Sequence, residues 1–140
     1  MLLDANVLLY AVDATDARHA TAVEFLESAL NGTSRVAFPW QSITAFIRIS
    51  THPRVALHPL SAEQAAGHID AWLSTPPAWI PAPTAATASI LCDLLRSSGA
   101  TGNLVSDAAL AAIAIEHSIP VITNDSDFHR FPVTIVNPFE

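Results

Sequence analysis

Short unbroken apolar runs alternate along this chain with longer stretches in which apolar residues recur every third or fourth position. These two patterns separate buried strands from amphipathic helices. The first run, Met1 to Asp4, reads as a short strand, and Val7 to Val12 continues as an apolar turn. "DATDARHATAVEFLESALNG" reads as a helix capped by Asp13 or Thr15, with Phe25, Leu26 and Leu30 on one face and Asn31-Gly32 as its stop. "RVAFP" is a second strand, ended by Pro39. In "WQSITAFIRIS", Trp40, Ile43, Phe46, Ile47 and Ser50 keep helical spacing as far as the "THPR" turn.

"SAEQAAGHIDAWLST" predicts another helix, capped by Ser61, and "PPAWIPAP" a strand or extended crossing around Trp79-Ile80. "TAATASILCDLLRSSG" is a helix closed by Gly99. A long apolar helix follows in "NLVSDAALAAIAIEHS", then a strand in "PVITND", a turn in "DFHRF" and a final strand in "VTIVN". Strands alternating with helices imply an α/β fold with a mainly parallel sheet. No repeat, linker or low-complexity segment breaks the pattern, so residues 1–140 read as a single domain.

Composition narrows the function. Hydrophobic residues make up 51% of the chain and charged residues 14%, which favours an enzyme-like or partner-burying domain over disorder. No apolar run is long enough to cross a membrane, and Asp4 breaks the N-terminal stretch before it could act as a signal peptide. Cytoplasm is the expectation. The lone Cys92 excludes an internal disulfide and a cysteine zinc site, and it reads as buried packing on its helix. The net charge is −7, and none of the six basic residues is Lys. Such a chain gains nothing from long-range attraction to nucleic acid, so bound cations must supply positive charge if it handles a phosphate backbone. Phosphate enzymes that depend on a Lys lose weight.

Sites in open parallel sheets form beyond the carboxyl ends of the strands. Asp4 ends the first strand, Asp125 and Asp127 follow the strand Val121–Thr123, and Asp107 lies in the first turns of the preceding helix. All four converge on one edge if the two strands are neighbours. Such a cluster repels itself unless divalent cations bind it, and Mg²⁺ or Mn²⁺ prefers this hard oxygen shell. Each acid also has a plain structural role open to it. Asp4 can end a strand or cap a helix, Asp107 suits a helix first turn, and Asp125 and Asp127 suit a turn.

The joint pattern resembles the PIN-domain family, and within it the VapC-type toxins of bacterial toxin–antitoxin systems. The residues that carry the resemblance are "LLDANVLLYA", "FIRISTHPRV", "GNLVSDAALAAIAIEH" and "VITNDSDFHRF", in that order over nearly the whole chain. The resemblance implies a three-layer α/β/α PIN-like fold and a Mg²⁺- or Mn²⁺-dependent endoribonuclease, usually dimeric and inhibited by a cognate antitoxin. Asp4 and Asp107 match metal-binding acids, Asp125 matches the acid of the "TxD" element, and Asp127 stands as a helper. Asn6 and Thr123 match polar neighbours that orient carboxylates or the bound water. One position departs: the family commonly has Glu on the helix after the second strand, where this chain has Ala45.

Arg48, His52 and Arg54 are candidate contacts to RNA phosphates, though each also suits a helix end or turn. His117 suits its helix C-terminus and His129 an exposed turn, while Trp40, Trp72 and Trp79 read as core or interface anchors. The expected reaction is metal-assisted hydrolysis of an RNA phosphodiester by in-line attack of water, carried by Asp4, Asp107 and Asp125. Two rivals remain. A PIN-fold protein that only binds RNA or its antitoxin is motivated by Ala45. A phosphatase with Asp4 as nucleophile needs an acid where Asn6 stands. The sparse charge predicts a homodimer with a separate apolar groove for the antitoxin, whose Arg enters the acidic cluster and replaces the cation.

Overall fold

The computed structural model describes residues 1–140. Leu2 and Leu3 form strand β1, both fully buried, with their side chains on opposite sheet faces as the strand period of two requires. Helices α1 (Ala5–Val12) and α2 (His19–Leu30) lead to β2 (Val36–Ala37); α3 (Trp40–Ser50) and α4 (Ala62–Leu73) lead to β3 (Ala78–Trp79). Helices α5 (Ala85–Ser98) and α6 (Leu104–Glu116) return the chain to β4 (Val121–Ile122), and a 3-10 turn at Ser126–Arg130 precedes β5 (Ile135–Val136). The five strands lie in the order β3-β2-β1-β4-β5, and every neighbouring pair is parallel.

Each face of the sheet has its own core. Leu3, Val36 and Ile122 pack with Val7 and Leu8 of α1, Leu26 of α2, Phe46 of α3 and Ile69 of α4. Leu2, Ala37 and Val121 pack on the other face with Leu94 of α5, the Ala-rich side of α6, Phe128 and Phe131. Small residues at Ala108, Ala111, Ala112 and Ala114 let α6 lie close against the sheet. The result is the three-layer α/β/α arrangement. Truncating a fully buried anchor such as Phe46 to Ala costs about 3–5 kcal/mol.

Two local expectations are corrected. Val7 to Val12 belongs to helix α1, with Asp4 at its N-cap. The stretch is apolar nearly all round, so its period is invisible in the sequence, and burial of Val7 and Leu8 against the sheet overrides their modest local preference. The second helix starts at His19, with neither Asp13 nor Thr15 as its cap. Asp13 Oδ1 instead accepts from the Thr15 amide and hydroxyl, and Asp16 Oδ1 accepts from the Arg18 amide. These local bonds give the backbone turns an alternative to the helix. Elsewhere the signals hold: Ser61 and Gln64 form a reciprocal capping box, and Gly99 closes α5 at φ 68°. Cys92, expected buried, is exposed on α5. The "DFHRF" turn is the 3-10 segment.

Candidate active site

The chain leaves β1 for β2 on one side and reaches β4 on the other, so the sheet order reverses beside β1. Strand neighbours diverge there and leave a crevice at their carboxyl ends. Leu3 pairs with Ile122 in register, and the Asp4 amide donates to the Ile122 carbonyl. The residues one step further, Asp4 and Thr123, therefore meet at the strand ends. The Thr123 hydroxyl donates to Asp4 Oδ2 at 2.7 Å and accepts from Asn6 Nδ2 and from the Asp125 amide, each at 2.9 Å. Thr123 is 1% exposed, and this one hydroxyl ties β1, α1 and the turn after β4 together.

That network fixes the orientation of Asn6. Thr123 has one proton and gives it to Asp4, so it must accept from Asn6, which turns the amide nitrogen towards it. Asn6 Oδ1 is left buried without a partner. An orphaned acceptor of this kind suits an ordered water or a cation.

Asp107, in the first turn of α6, closes the site from the second helical layer. A cleft of about 570 Å³ is lined by Asp4, Asn6, Asp107, Asp125, Ala45 and Arg48, among others. Carboxylate oxygens of Asp107, Asp125 and Asp127 lie within 4.8 Å of one another. Two overlapping acidic triads thus share Asp107 and Asp125: one opens into the cleft through Asp4, the other reaches the turn through Asp127. Asp125 holds the turn by accepting from the Asp127 amide, and Asp127 pairs with Arg130 at 3.2 Å.

The electrostatics follow from this crowding. Desolvation raises the Asp107 carboxyl to about 6, and the neighbouring charges of Asp125, Asp4 and Asp127 add to the rise. Burial also pushes Asp4 up, against the Thr123 hydroxyl bond that favours its charged form. Both acids are held in conditions that disfavour their charge. A hard divalent cation relieves that strain, and oxygen donors at this spacing with the orphaned Asn6 oxygen beside them fit one.

The remaining sequence candidates divide. Arg48 lines the cleft on α3, while His52 and Arg54 lie on the following loop outside its lining, the His52 ring accepting from the Arg54 amide. His117 caps the end of α6 and His129 is exposed. Gln41, Thr44 and Ser106 also line the cleft, and Ser42 Oγ is buried, donating to the Leu3 carbonyl at 2.7 Å. The strand-end rule applied to β2 points at the start of α3, where Gln41, Ser42 and Thr44 carry no charge to mark them in the sequence.

A PIN-domain family model matches residues 1–133. Ribonuclease VapC37 of Mycobacterium tuberculosis is 42% identical over 130 residues, 93% of this chain and 90% of that protein. Among solved structures, the M. tuberculosis toxin VapC20, described as cleaving the sarcin-ricin loop, superposes with a TM-score of 0.72 at 18% identity, covering 98% of each chain. A toxin–antitoxin complex from Klebsiella pneumoniae superposes with a TM-score of 0.66 at 18% identity, over 99% of this chain and 98% of that one.

Proposed function

The chain belongs to the PIN-domain family, and from that premise we propose that it is the ribonuclease toxin of a toxin–antitoxin pair, using Mg²⁺ or Mn²⁺. The observation that carries the reading is the convergence of Asp4, Asp107 and Asp125 in one cleft, beside a buried and unpartnered Asn6 oxygen. The relative's name, ribonuclease, supports the activity. Asp4, Asp107 and Asp125 would hold the ion, with Asp127 as a further oxygen donor beside Asp107 and Asp125. When bound, it supplies Lewis acidity to the scissile phosphate and lowers the pKa of water there.

The chain's own residues do the positioning. Thr123 Oγ1 holds the Asp4 carboxylate in one rotamer through its donated hydrogen bond, and Asn6 locks Thr123 in turn. Asn6 Oδ1 stays free to accept from a water in the site. Arg48 is the cation on the cleft wall and binds a phosphate oxygen of the strand. Ala45 beside it leaves the α3 wall without a carboxylate, so the acids of β1, α6 and the turn after β4 carry the site. His52 and Arg54 extend the RNA path along the loop.

The partner has a second hollow available. A groove of about 630 Å³ is lined by Leu9, Tyr10, Ile49, Val55, Leu57 and Leu60, with Asp13 and Asp16 in its wall. Leu9 and Ile49 line both hollows, so they adjoin. An antitoxin segment with apolar side chains and an Arg fits this pair of surfaces, the Arg reaching the acids. The toxin–antitoxin complex among the structural neighbours supports such a partner. A homodimer, working on cytoplasmic RNA, completes the proposal. RNA cleavage with Mg²⁺ or Mn²⁺ against excess EDTA tests it; cleavage that persists in EDTA overturns the metal mechanism, and none under any condition overturns the nuclease.

A further inference from the structure

Of this chain's Trp, Tyr and Phe residues, Trp40 alone is exposed, at 61%. The other tryptophans have partners: Trp72 stacks on Phe38 and meets Phe46 in an edge-to-face pair, and Trp79 has the Arg35 guanidinium over its ring and forms an edge-to-face pair with His117. Trp40 is the first residue of α3. Its neighbour Gln41 and Thr44, one turn on, line the acidic cleft, as does Arg48 a further turn away. Residues four apart share a helix face, so the Trp40 indole, outside the cleft lining itself, lies on the same face of α3 as the cleft residues Thr44 and Arg48, about 12 Å along the helix from Arg48.

We propose that Trp40 is a stacking platform for an unpaired base of the RNA whose backbone enters the acidic cleft. The identity of the ligand rests on the ribonuclease reading; the need for a platform comes from this chain's charge. With a net charge of −7, no Lys and one Arg in the cleft lining, few phosphates can be neutralised and little affinity can come from counterion release. Base–aromatic stacking needs no positive charge and accepts any base. The surroundings suit a base better than a second copy of the chain. Exposed Thr44 and Arg48 follow the indole on the same helix face, and Ile47, the other exposed apolar residue of α3, is 37% exposed, so no broad apolar patch forms there.

The test uses the full chain with Asp107→Asn, which keeps RNA intact, and a labelled single-stranded 12-nucleotide RNA of mixed sequence, read by anisotropy and by tryptophan emission. Adding Trp40→Ala is expected to weaken binding about tenfold, equally at low and moderate salt, and to abolish most of the emission quenching. Trp40→Phe, which keeps an aromatic face, is expected to recover most of the affinity. In the cleaving protein, Trp40→Ala raises KM with kcat nearly unchanged. Unchanged affinity and KM in Trp40→Ala overturn the proposal while leaving the nuclease standing; if sedimentation then shows dimers falling to monomers, Trp40 belongs to a self-association surface. RNA binding through Trp40 without any cleavage overturns the nuclease and leaves the platform. A folded wild-type chain that neither binds nor cleaves RNA overturns both.

Discussion

Replacing Asp107 by Asn should make the metal-free protein more stable while removing its cleavage. The carboxyl rises from 3.8 to about 6 on folding, which corresponds to about 3 kcal/mol against its ionised form. Asp107 is only half-buried, so solvent screening leaves about 1 kcal/mol of that cost. The sign runs one way. A carboxyl whose folded pKa is raised binds its proton more tightly in the native state, so its ionisation subtracts stability as pH climbs from about 4 to about 6. At pH 7 the penalty is complete, and Asp107→Asn, which keeps the shape without the charge, is relieved of it. Below about pH 4 the acid is neutral in both states and the two proteins converge. Asp4 is raised in the same direction and acts with the same sign.

Thermal unfolding in EDTA reads the effect. A gain of about 1 kcal/mol raises Tm by roughly 3 °C in a chain of this size, so the variant should melt about that much higher at pH 7 and level with the wild type near pH 4. Adding Mn²⁺ should reverse the order, because the wild type gains from binding and the variant loses a ligand. Cleavage by the variant should fall about a hundredfold or more, since the lost interaction supplies several kcal/mol of transition-state stabilisation. A metal-free variant that melts lower than the wild type at pH 7 refutes the reasoning: Asp107 would then be holding the fold together, and the acids would not be repelling one another.

Wild-type protein in a hundredfold excess of Mg²⁺ or Mn²⁺ over its dissociation constant should gain about 2.7 kcal/mol, a shift seen by calorimetry that shrinks as pH falls through about 6, where Asp107 takes up its proton. An identical shift in Asp4→Asn would place the ion away from Asp4. Thr123→Val keeps the shape but strands the Asn6 and Asp125 donors; it should cost about 1–3 kcal/mol in urea titration and lower kcat more than it raises KM. Leu57→Asp, at a residue 74% exposed in the apolar groove, should weaken the complex with the co-expressed neighbouring gene product at least tenfold by calorimetric titration, and a complex of unchanged affinity would move the docking surface elsewhere.

The sheet was legible because each strand is a short apolar run bounded by Asp, Pro or Asn; Asp4, Asp125 and Asp127 were legible because they follow strand ends, and Asp107 because it opens the helix that precedes β4. Helix α1 was not, because "ANVLLYAV" carries no polar face to reveal a period. The "DATDARH" stretch read as helix because its Asx turns depend on side chains bonding two residues ahead, which residue spacing does not encode. Arg48 was found among the basic residues, but Gln41, Thr44 and Ser106 were not, since neutral polar residues on a helix look alike whether they face a cleft or water. The exposure of Trp40 was hidden for the reverse reason: an indole at helical spacing among Ile43, Phe46 and Ile47 reads as core. It begins the helix, where no preceding turn and no strand covers it.

The placement of the acids also explains why the surrounding fold is so poor in charge. Asp4 follows a fully buried strand, and Asp107 rises from a helix whose sheet-facing side is nearly all Ala, Ile and Leu. Arg48 lines the cleft without forming an ion pair to any of the acids, and the ion pairs at the site edge are limited to Arg130 on Asp127. A Lys within the cleft would neutralise the cluster permanently and stabilise the resting protein, but it would compete with any cation for the same oxygens. Leaving Asp4, Asp107 and Asp125 without a cationic partner keeps them available to whatever positive charge arrives, a divalent ion or the guanidinium of an inhibitor. In the proposed function, activity and inhibition would draw on one electrostatic deficit, and the same substitution that relieves it, Asp107→Asn, should weaken both the ion and an Arg-bearing partner together.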